Sequence, residues 1–162
     1  MNGQLTLFEG GEETLGSAKR RLREGLEDGT NCPCCDRWAQ AYWRTINKTM
    51  ARGLCWLAEE ADMQPGVYVD ITKGPAWLLR SNQLATLRWW CLIKRAPNDD
   101  PKKKSSGMWA LTHAGRDFLW GGASVPRRVC TLFGDVVARS DDFITIHDIK
   151  HHFDYTEVMG GD

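Results

Sequence analysis

The sequence predicts an α+β fold, and three features of the chain support this prediction. Apolar residues recur at helical spacing between Ile46 and Ala61, which indicates a helix with one apolar face. Residues 67–71 are rich in β-branched side chains and alternate as the residues of a strand do. The pair Pro65-Gly66 stands between them and breaks the helix. Helices and strands therefore share one chain of 162 residues, which is long enough for one compact domain with small appendages.

A tail, a helix and a cysteine-containing turn are expected before residue 46. Residues 9–16 are acidic and contain glycine, so we expect residues 1–16 to form a flexible tail. Residues 17–45 are expected to be a helical segment with a cysteine-rich turn, and apolar residues at helical spacing from Leu15 onward indicate a short amphipathic helix that Gly29 ends. Its apolar residues are Leu15, Ala18, Leu22 and Leu26. A turn at 31–37 contains three cysteines, and a second helix is expected over 37–46.

The segment 46–122 is predicted to be the core domain, in which helices and strands follow one another. Helices are expected from a cap at Thr45 or Asn47 to Asp62, over 74–80, from a cap at Ser81 or Asn82 to Trp90, and from Thr112 to Gly121. Strands are expected at 67–71, 92–95 and 108–111. A polar loop over 96–107 separates the last two strands, so these strands and their loop form a hairpin.

Residues 123–162 are predicted to form a small C-terminal unit built on a β-hairpin. The hairpin strands are expected at 128–132 and 136–139, with a third strand at 143–146 and a helical turn from Ile146 to Phe153. This unit carries a net charge of −5 over residues 129–162, from 2 basic and 7 acidic side chains. We therefore expect it to cover the core domain or to bind a protein, and not to contact phosphate.

The net charge of zero hides an uneven distribution along the chain. Residues 73–128 carry 11 basic and 3 acidic side chains, a net charge of +8. Such a segment in a neutral protein is typical of a face that binds a polyanion, although a solvated basic surface has the same composition. Gln83, Thr86 and Arg88 alternate with the inward-facing Leu84, Leu87 and Trp90, so they are expected to point outward. The polyanion-binding residues expected are these three on the helix, Lys94 in the following strand, and Lys102, Lys103 and Lys104 at the tip of the loop.

Two motifs in this segment resemble the winged helix-turn-helix family of DNA-binding domains. Residues 87–95, Leu-Arg-Trp-Trp-Cys-Leu-Ile-Lys-Arg, look like the end of a recognition helix that runs into the wing, with Cys91 where glycine is common. Residues 109–119 contain Leu-Thr-His-Ala-Gly-Arg, which is similar to the end of the wing in antibiotic-resistance-type and phenolic-acid-type regulators. The resemblance covers residues 46–121. It implies that the helix at 82–90 reads DNA and that the lysines of the loop reach the phosphate backbone.

The N-terminal residues Gln4-Leu5-Thr6-Leu7-Phe8 resemble the peptide by which bacterial polymerases and repair proteins dock on the replication sliding clamp. The resemblance implies that Gln4 enters a small polar pocket on the clamp, that the paired Leu7 and Phe8 fill an apolar cleft, and that Leu5 belongs to the same binding segment. Apolar side chains at a chain end, followed by an acidic linker, are also what a segment meant to be bound would carry. The alternative is a short edge strand or a staple packed on the body of the protein.

The six cysteines are expected to be reduced or to bind metal, because no secretory signal pattern precedes them. Cys32 and Cys35 have the cysteine-x-x-cysteine spacing that forms one half of many zinc knuckles. A second pair with this spacing is absent from the sequence, so the remaining ligands would be Cys34, Cys55, Cys91, Cys130 or a histidine. A metal-free turn with reduced thiols and a redox pair are the two other interpretations.

The sequence predicts a cytoplasmic protein that is not an enzyme, does not bind a membrane and has no small-molecule substrate. It has no glycine-rich phosphate loop and no serine nucleophile elbow, and no apolar run reaches the length of a membrane span. His147, His151 and His152, with Asp148 and Asp154, are expected to be surface polar residues.

The order of motifs also looks like that of small phage and prophage proteins. The leading hypothesis is a phage-encoded DNA-binding accessory protein held on the sliding clamp, and the alternatives are a clamp inhibitor without a DNA role and a winged-helix transcriptional regulator.

Overall fold

The computed structural model describes residues 13–149, and it confirms the α+β fold class with 36% helix and 23% strand in small antiparallel sheets. The described chain divides into two compact units. The first consists of residues 13–42 and 132–134, and the second consists of residues 43–131 and 135–149.

The first unit begins with the predicted N-terminal helix. Helix α1 spans Leu15–Gly25 and is capped by Thr14, whose hydroxyl accepts a hydrogen bond of 3.2 Å from the Ser17 N–H. The helix ends at Gly25, and Gly29 instead occupies a following turn with a φ of 88°. A Cβ at Gly29 would overlap the ring of Trp38, so both the positive φ and the packing require glycine there.

The second helix expected over 37–46 is wrong, because this segment forms strands. Strands β1 (Thr30–Asn31) and β2 (Trp38–Ala39) pair antiparallel around the cysteine-containing turn. The Cys32 N–H donates to the Arg37 carbonyl at 2.8 Å, and Asp36 has a φ of 57°. The pairing of these strands provides hydrogen-bond partners for backbone groups that a helix would otherwise have paired. Strand β3 (Tyr42–Thr45) follows, and aromatic and β-branched side chains suit it to a sheet.

The second unit is organised around helix α2, Lys48–Glu60. Of the two caps that the sequence allows, Asn47 is the actual one, since its side chain accepts from the Met50 N–H at 3.0 Å. The predicted inward face is confirmed, because Ile46, Met50, Leu54, Leu57 and Ala61 are all buried. Helix α2 therefore supplies a large part of the hydrophobic core of this unit.

A three-stranded sheet lies in the same unit. It contains β4 (Tyr68–Asp70), β5 (Ile93–Arg95) and β6 (Met108–Leu111), in the spatial order β4-β6-β5 with antiparallel pairing. All three strands fall within the segments predicted from the sequence. In its register, Ala110 of the central strand stands between Tyr68 and Lys94, and Trp109 stands between Val69 and Arg95. Trp109 and Ala110 are both buried, so the central strand is covered on both faces.

Three helical segments connect β4 to β5, and the first is a short 3-10 helix, Ile71–Lys73. Helix α3 spans Ala76–Ser81, and its C-terminal cap is Asn82, which has a left-handed φ of 49°. The following helix is a 3-10 helix, Leu84–Trp90, and its first flanking residue is Gln83, so neither Ser81 nor Asn82 caps it. The 3-10 helix ends at Cys91, which has a left-handed φ of 60°. Its inward residues are those predicted, since Leu84, Leu87 and Trp90 are buried.

The Leu-Thr-x-x-Gly motif positions the helix that follows β6. Helix α4 spans His113–Leu119, and the Thr112 hydroxyl accepts from the Gly115 N–H at 3.0 Å, as the predicted cap requires. The same hydroxyl lies 2.7 Å from the Cys91 carbonyl oxygen and 2.9 Å from that of Leu92. A Cβ at Gly115 would overlap the Leu92 carbonyl oxygen. Thr112 and Gly115 thus hold α4 directly against the start of β5.

The remaining strands of the described chain form two further small sheets. Strands β7 (Val125–Pro126), β8 (Arg128–Leu132), β9 (Asp135–Arg139) and β10 (Phe143–Ile144) follow α4 in sequence. The predicted hairpin is present as β8 and β9, in a sheet of order β3-β8-β9. The predicted third strand is present as β10, but it pairs with β7 and not with the hairpin. A 3-10 helix, Ile146–Asp148, begins the predicted helical turn, and the rest of that turn lies outside the described residues.

Candidate nucleic-acid interface

The polar loop between β5 and β6 presents three exposed lysines, Lys102, Lys103 and Lys104. The loop is held by its own hydrogen bonds, because Asp100 accepts from the Lys102 N–H at 2.9 Å and the Asn98 amide donates to the Lys103 carbonyl at 2.6 Å. At its base, the Ser106 hydroxyl donates to the Ala96 carbonyl at 3.0 Å. The loop therefore presents three neighbouring ammonium groups on a hydrogen-bonded turn at the end of the hairpin.

Asp70, at the end of β4, lies close enough to this loop to be influenced by its charge. The Thr72 side chain and backbone N–H donate to the Asp70 carboxylate at 2.6 and 3.0 Å, and these bonds lower the pKa of Asp70 below its ordinary value. The charges of Lys73 and Lys103 lower this pKa further. The lysine loop and Lys73 thus share one region of positive potential that contains Asp70.

Lys94 and Arg95 continue the basic surface along β5, and both are exposed. The Lys94 ammonium lies 5.9 Å from the centroid of the Tyr68 ring, across Ala110 on one face of the sheet. The Arg95 guanidinium lies 5.8 Å from the centroid of the Trp109 ring on the other face. The hairpin therefore carries cations on both faces and at its tip.

The three predicted recognition residues differ in what their side chains contact. Arg88 is exposed, whereas Gln83 and Thr86 are half-buried. The Gln83 side-chain oxygen accepts from the Asn47 amide at 2.9 Å, and the Thr86 hydroxyl donates to the Gln83 carbonyl at 2.6 Å. Two of the three side chains thus make hydrogen bonds within the protein, and contacts of all three with DNA remain a prediction.

The structure reveals a cluster of arginines and tryptophans that the sequence analysis missed. The Arg44 and Arg88 guanidiniums each lie 5.7 Å from the centroid of the Trp89 ring. A second pair joins Arg128 to Trp43 at 5.1 Å. Seven pairs of a cation and an aromatic ring centroid lie within about 6 Å among residues 13–149. The sequence contained one signal for these contacts, because tryptophan and arginine are neighbours at Trp43-Arg44 and at Arg88-Trp89.

The cysteine-containing turn of the first unit brings three thiols together. The backbone N–H groups of Cys34 and Cys35 donate to the Cys32 sulfur, which also hydrogen-bonds to the side chains of Cys35 and Cys34. These bonds lower the pKa of the Cys32 thiol, because they favour its charged form. Cys32 is half-buried and the other two are exposed. The three cysteines of this turn therefore lie near one another.

Within residues 13–149, no group of three or more histidine, cysteine or acidic side chains is placed to hold a metal ion. The described residues therefore do not show a complete zinc site. Cys55 and Cys130 are buried in the second unit, and burial followed by the charge of Glu59 raises the pKa of Cys55 to about 12. A thiol with that pKa is a poor metal ligand. The assignment of zinc to Cys32 and Cys35 stays a prediction.

The acidic and histidine residues near the C-terminus include one with a structural role. The Asp148 carboxylate accepts from the Thr145 N–H at 2.8 Å and from the Thr145 hydroxyl at 2.9 Å, which caps the last 3-10 helix. His147 is exposed. His151, His152 and Asp154 lie outside the described residues, as do the predicted clamp-binding residues Gln4, Leu5, Leu7 and Phe8.

Each helix within residues 13–149 is too short or too polar to cross a membrane. No protein-family model, no curated protein and no solved structure matches this chain.

Proposed function

We propose that residues 46–122 are a winged helix-turn-helix module that binds duplex DNA. The observation that carries the proposal is the basic hairpin of β5 and β6. It follows helices α2 and α3 and the 3-10 helix Leu84–Trp90, in a sheet of order β4-β6-β5. This is the order of elements that the sequence resemblance implies, and the exposed lysines stand where the wing of such a module would meet the phosphate backbone.

Contacts to phosphate dominate the proposed binding. The exposed cations of the module include Arg88, Lys94, Arg95 and the three lysines of the loop. Each phosphate that they neutralise releases condensed counterions, which makes the affinity strongly dependent on salt. Gln83 and Thr86 are engaged in hydrogen bonds of 2.9 and 2.6 Å within the protein, so the short 3-10 helix offers few free groups to base edges. We therefore propose binding with weak sequence preference.

Recruitment to the replication clamp is the second part of the proposal. It is supported by the residues Gln4-Leu5-Thr6-Leu7-Phe8 and by the acidic, glycine-containing segment 9–16 that follows them. A clamp-binding peptide joined to a DNA-binding module by a flexible segment raises the effective concentration of each site for its partner, so neither contact has to be tight. On this proposal the protein is a non-enzymatic accessory factor of DNA replication.

A second candidate function is inhibition of the clamp without a DNA role. The internal hydrogen bonds of Gln83 and Thr86 favour this candidate, because they leave the 3-10 helix with few groups for sequence reading. The two functions differ in duplex affinity. The proposed module binds DNA through its hairpin, whereas an inhibitor would bind the clamp alone.

The test is a measurement of duplex affinity by fluorescence anisotropy with a matched pair of triple variants. Lys102→Ala, Lys103→Ala and Lys104→Ala together remove three exposed cations from the hairpin. Lys19→Ala, Arg20→Ala and Arg23→Ala together remove three exposed cations from α1 and change the net charge equally. We expect the hairpin variant to lose at least about tenfold in affinity, and the α1 variant to bind nearly as the wild type does. Equal losses in both variants, or no duplex binding by the wild type, would refute the proposed interface.

A further inference from the structure

Strand β9 (Asp135–Arg139) lies at the edge of its sheet. The order β3-β8-β9 places it at one end, so among the described residues it pairs with β8 alone. With five residues it is longer than the other edge strands of the three-stranded sheets, which have four residues in β3 and three each in β4 and β5. The backbone N–H and C=O groups along its outer edge can therefore pair with a further strand.

The side chains of β9 do not prevent such pairing. Edge strands commonly avoid it with lysine or proline, and β9 contains neither. Strand β5 is a contrast in the same unit, because its central residue is the exposed Lys94. Two copies of β5 paired antiparallel about their centres would place these lysines opposite each other, which is unfavourable. Of these two edges, β9 is therefore the one that can accept a second strand of its own sequence.

The outer face of β9 carries opposite charges at its two ends. Val136 packs against the hydrophobic core, and successive side chains of a strand point to opposite faces. Asp135, Val137 and Arg139 consequently share the face away from the core, and all three are exposed, Val137 by 54%. The Cα atoms of Asp135 and Arg139 are about 13 Å apart along the strand. Neither side chain makes an ion pair with another residue of the described chain.

Two copies of this strand are complementary to each other. In an antiparallel pair centred on Val137, Asp135 of each copy lies opposite Arg139 of the other, and the two valines meet at the axis. Val136 lies opposite Ala138 in the same register, so every pair is either oppositely charged or apolar. The chain has no net charge at pH 7, so no long-range repulsion opposes the contact of two copies.

We propose that the protein forms a two-fold symmetric dimer through β9, in which the β3-β8-β9 sheets of two copies join edge to edge. The same surface of both copies takes part, as in other two-fold interfaces. Charge complementarity identifies the partner strand as β9 of a second copy. Two strands of five residues bury a small area, so we expect a weak dimer whose population rises with protein concentration. This inference goes beyond the proposed function and does not depend on DNA binding.

Sedimentation velocity of the full chain without DNA, over a range of concentrations, measures this association. The wild type should shift from monomer towards dimer as its concentration rises. Asp135→Arg and Arg139→Asp should each raise the dimer dissociation constant at least about tenfold, because two attractive pairs become two repulsive ones. Glu60→Arg is the matched control, since it makes the same change of charge at an exposed residue of α2 and should leave the association unchanged.

Mixing the two charge reversals tests the antiparallel register. An equimolar mixture of the Asp135→Arg and Arg139→Asp chains should dimerise about as well as the wild type, because each chain then meets the opposite charge at both ends of the strand. A double variant with both substitutions in one chain should also regain the dimer. Val137→Lys should weaken the association, because it places two ammonium groups opposite each other at the axis.

The substituted residues are all exposed, and the melting temperature of each variant reports whether its fold is intact. A wild type that stays monomeric up to its solubility limit would overturn the inference and leave this edge to another occupant. A dimer that neither single charge reversal weakens would overturn it as well, since a different surface would then be the interface. Loss of the dimer in both single variants without recovery in their mixture would overturn the antiparallel pairing and the inference with it.

Discussion

Removal of the Thr112 hydroxyl should destabilise the second unit by a predictable amount. Thr112→Val keeps the shape of the side chain and deletes the oxygen that caps α4, where it accepts from the Gly115 N–H at 3.0 Å. Loss of an N-cap of this kind costs about 1 kcal/mol. The same hydroxyl donates its single hydrogen toward the Cys91 and Leu92 carbonyls at 2.7 and 2.9 Å, and loss of this hydrogen bond costs about 1 kcal/mol more.

The expected total is therefore about 2 kcal/mol in the free energy of unfolding. Urea denaturation followed by tryptophan fluorescence measures it, since a slope of about 2 kcal/mol per molar urea turns this loss into a midpoint lower by about 1 M. Thr112→Ser is the control, because it keeps the hydroxyl and should shift the midpoint far less. A midpoint for Thr112→Val within about 0.2 M of the wild type, or an equal shift for Thr112→Ser, would refute the role of this hydroxyl.

Three further predictions follow from single residues. The pKa of Asp70 is lowered in the folded state, so its stabilising effect is present above its unfolded pKa of about 3.9 and is lost as pH falls through the folded value. Asp70→Asn should thus lower stability to urea at pH 7 and have little effect at strongly acidic pH, and a loss of equal size at both pH values would contradict this cause. At neutral pH, iodoacetamide should alkylate Cys32 faster than buried Cys55, because hydrogen bonds lower the pKa of Cys32 whereas the pKa of Cys55 is raised to about 12. Mass spectrometry of the digested protein measures both alkylation rates. Equal rates would contradict the different pKa shifts of the two thiols. Gly29→Ala should destabilise the first unit by roughly 1 kcal/mol or more, since its φ is 88° and the new Cβ would overlap the Trp38 ring; limited proteolysis of residues 13–42 would detect the loss, and unchanged protection would contradict it.

Local patterns predicted those parts of the fold that local physics determines. The inward face of α2 and its Asn47 cap follow from residue spacing and from a side chain three residues from its partner. The three strands of the β4-β6-β5 sheet follow from their composition and from the breaks between them. The cap at Thr112 is local as well, although its hydroxyl also reaches carbonyls about 20 residues earlier in the chain, and this contact could not be read from spacing.

Strand β10 was predicted, but its partner β7 was not. The helix predicted over residues 37–46 was wrong, because strand pairing determines the structure of this segment. The backbone of Arg37 pairs with that of Cys32 across a turn, and strand β3 pairs with β8 much later in the chain. The cluster at Trp89 depends on the same segment, because Arg44 reaches the ring from β3 and not from a helix. A wrong local element therefore concealed the contact between Arg44 and Trp89.

The clamp-binding peptide needs a test of its own, because Leu7 and Phe8 lie outside the described residues. Calorimetric titration of the full chain into a bacterial sliding clamp should give binding in the micromolar range, on the order of −8 kcal/mol. The double variant Leu7→Ala and Phe8→Ala should abolish the heat of binding and leave the melting temperature unchanged. A large loss of stability in this variant would show that the segment is structural, and no binding by the wild type would exclude this clamp as the partner.

The salt dependence of duplex binding tests the central claim most directly. The logarithm of the association constant should fall linearly with the logarithm of salt concentration, with a slope of about −0.9 for each phosphate that the protein neutralises. If the three lysines of the hairpin each contact a phosphate, replacing Lys102, Lys103 and Lys104 with alanine should make the slope less steep by up to about 2.7. The triple variant of α1 should keep the wild-type slope. A slope that is the same for the wild type and the hairpin variant would contradict DNA binding through this hairpin.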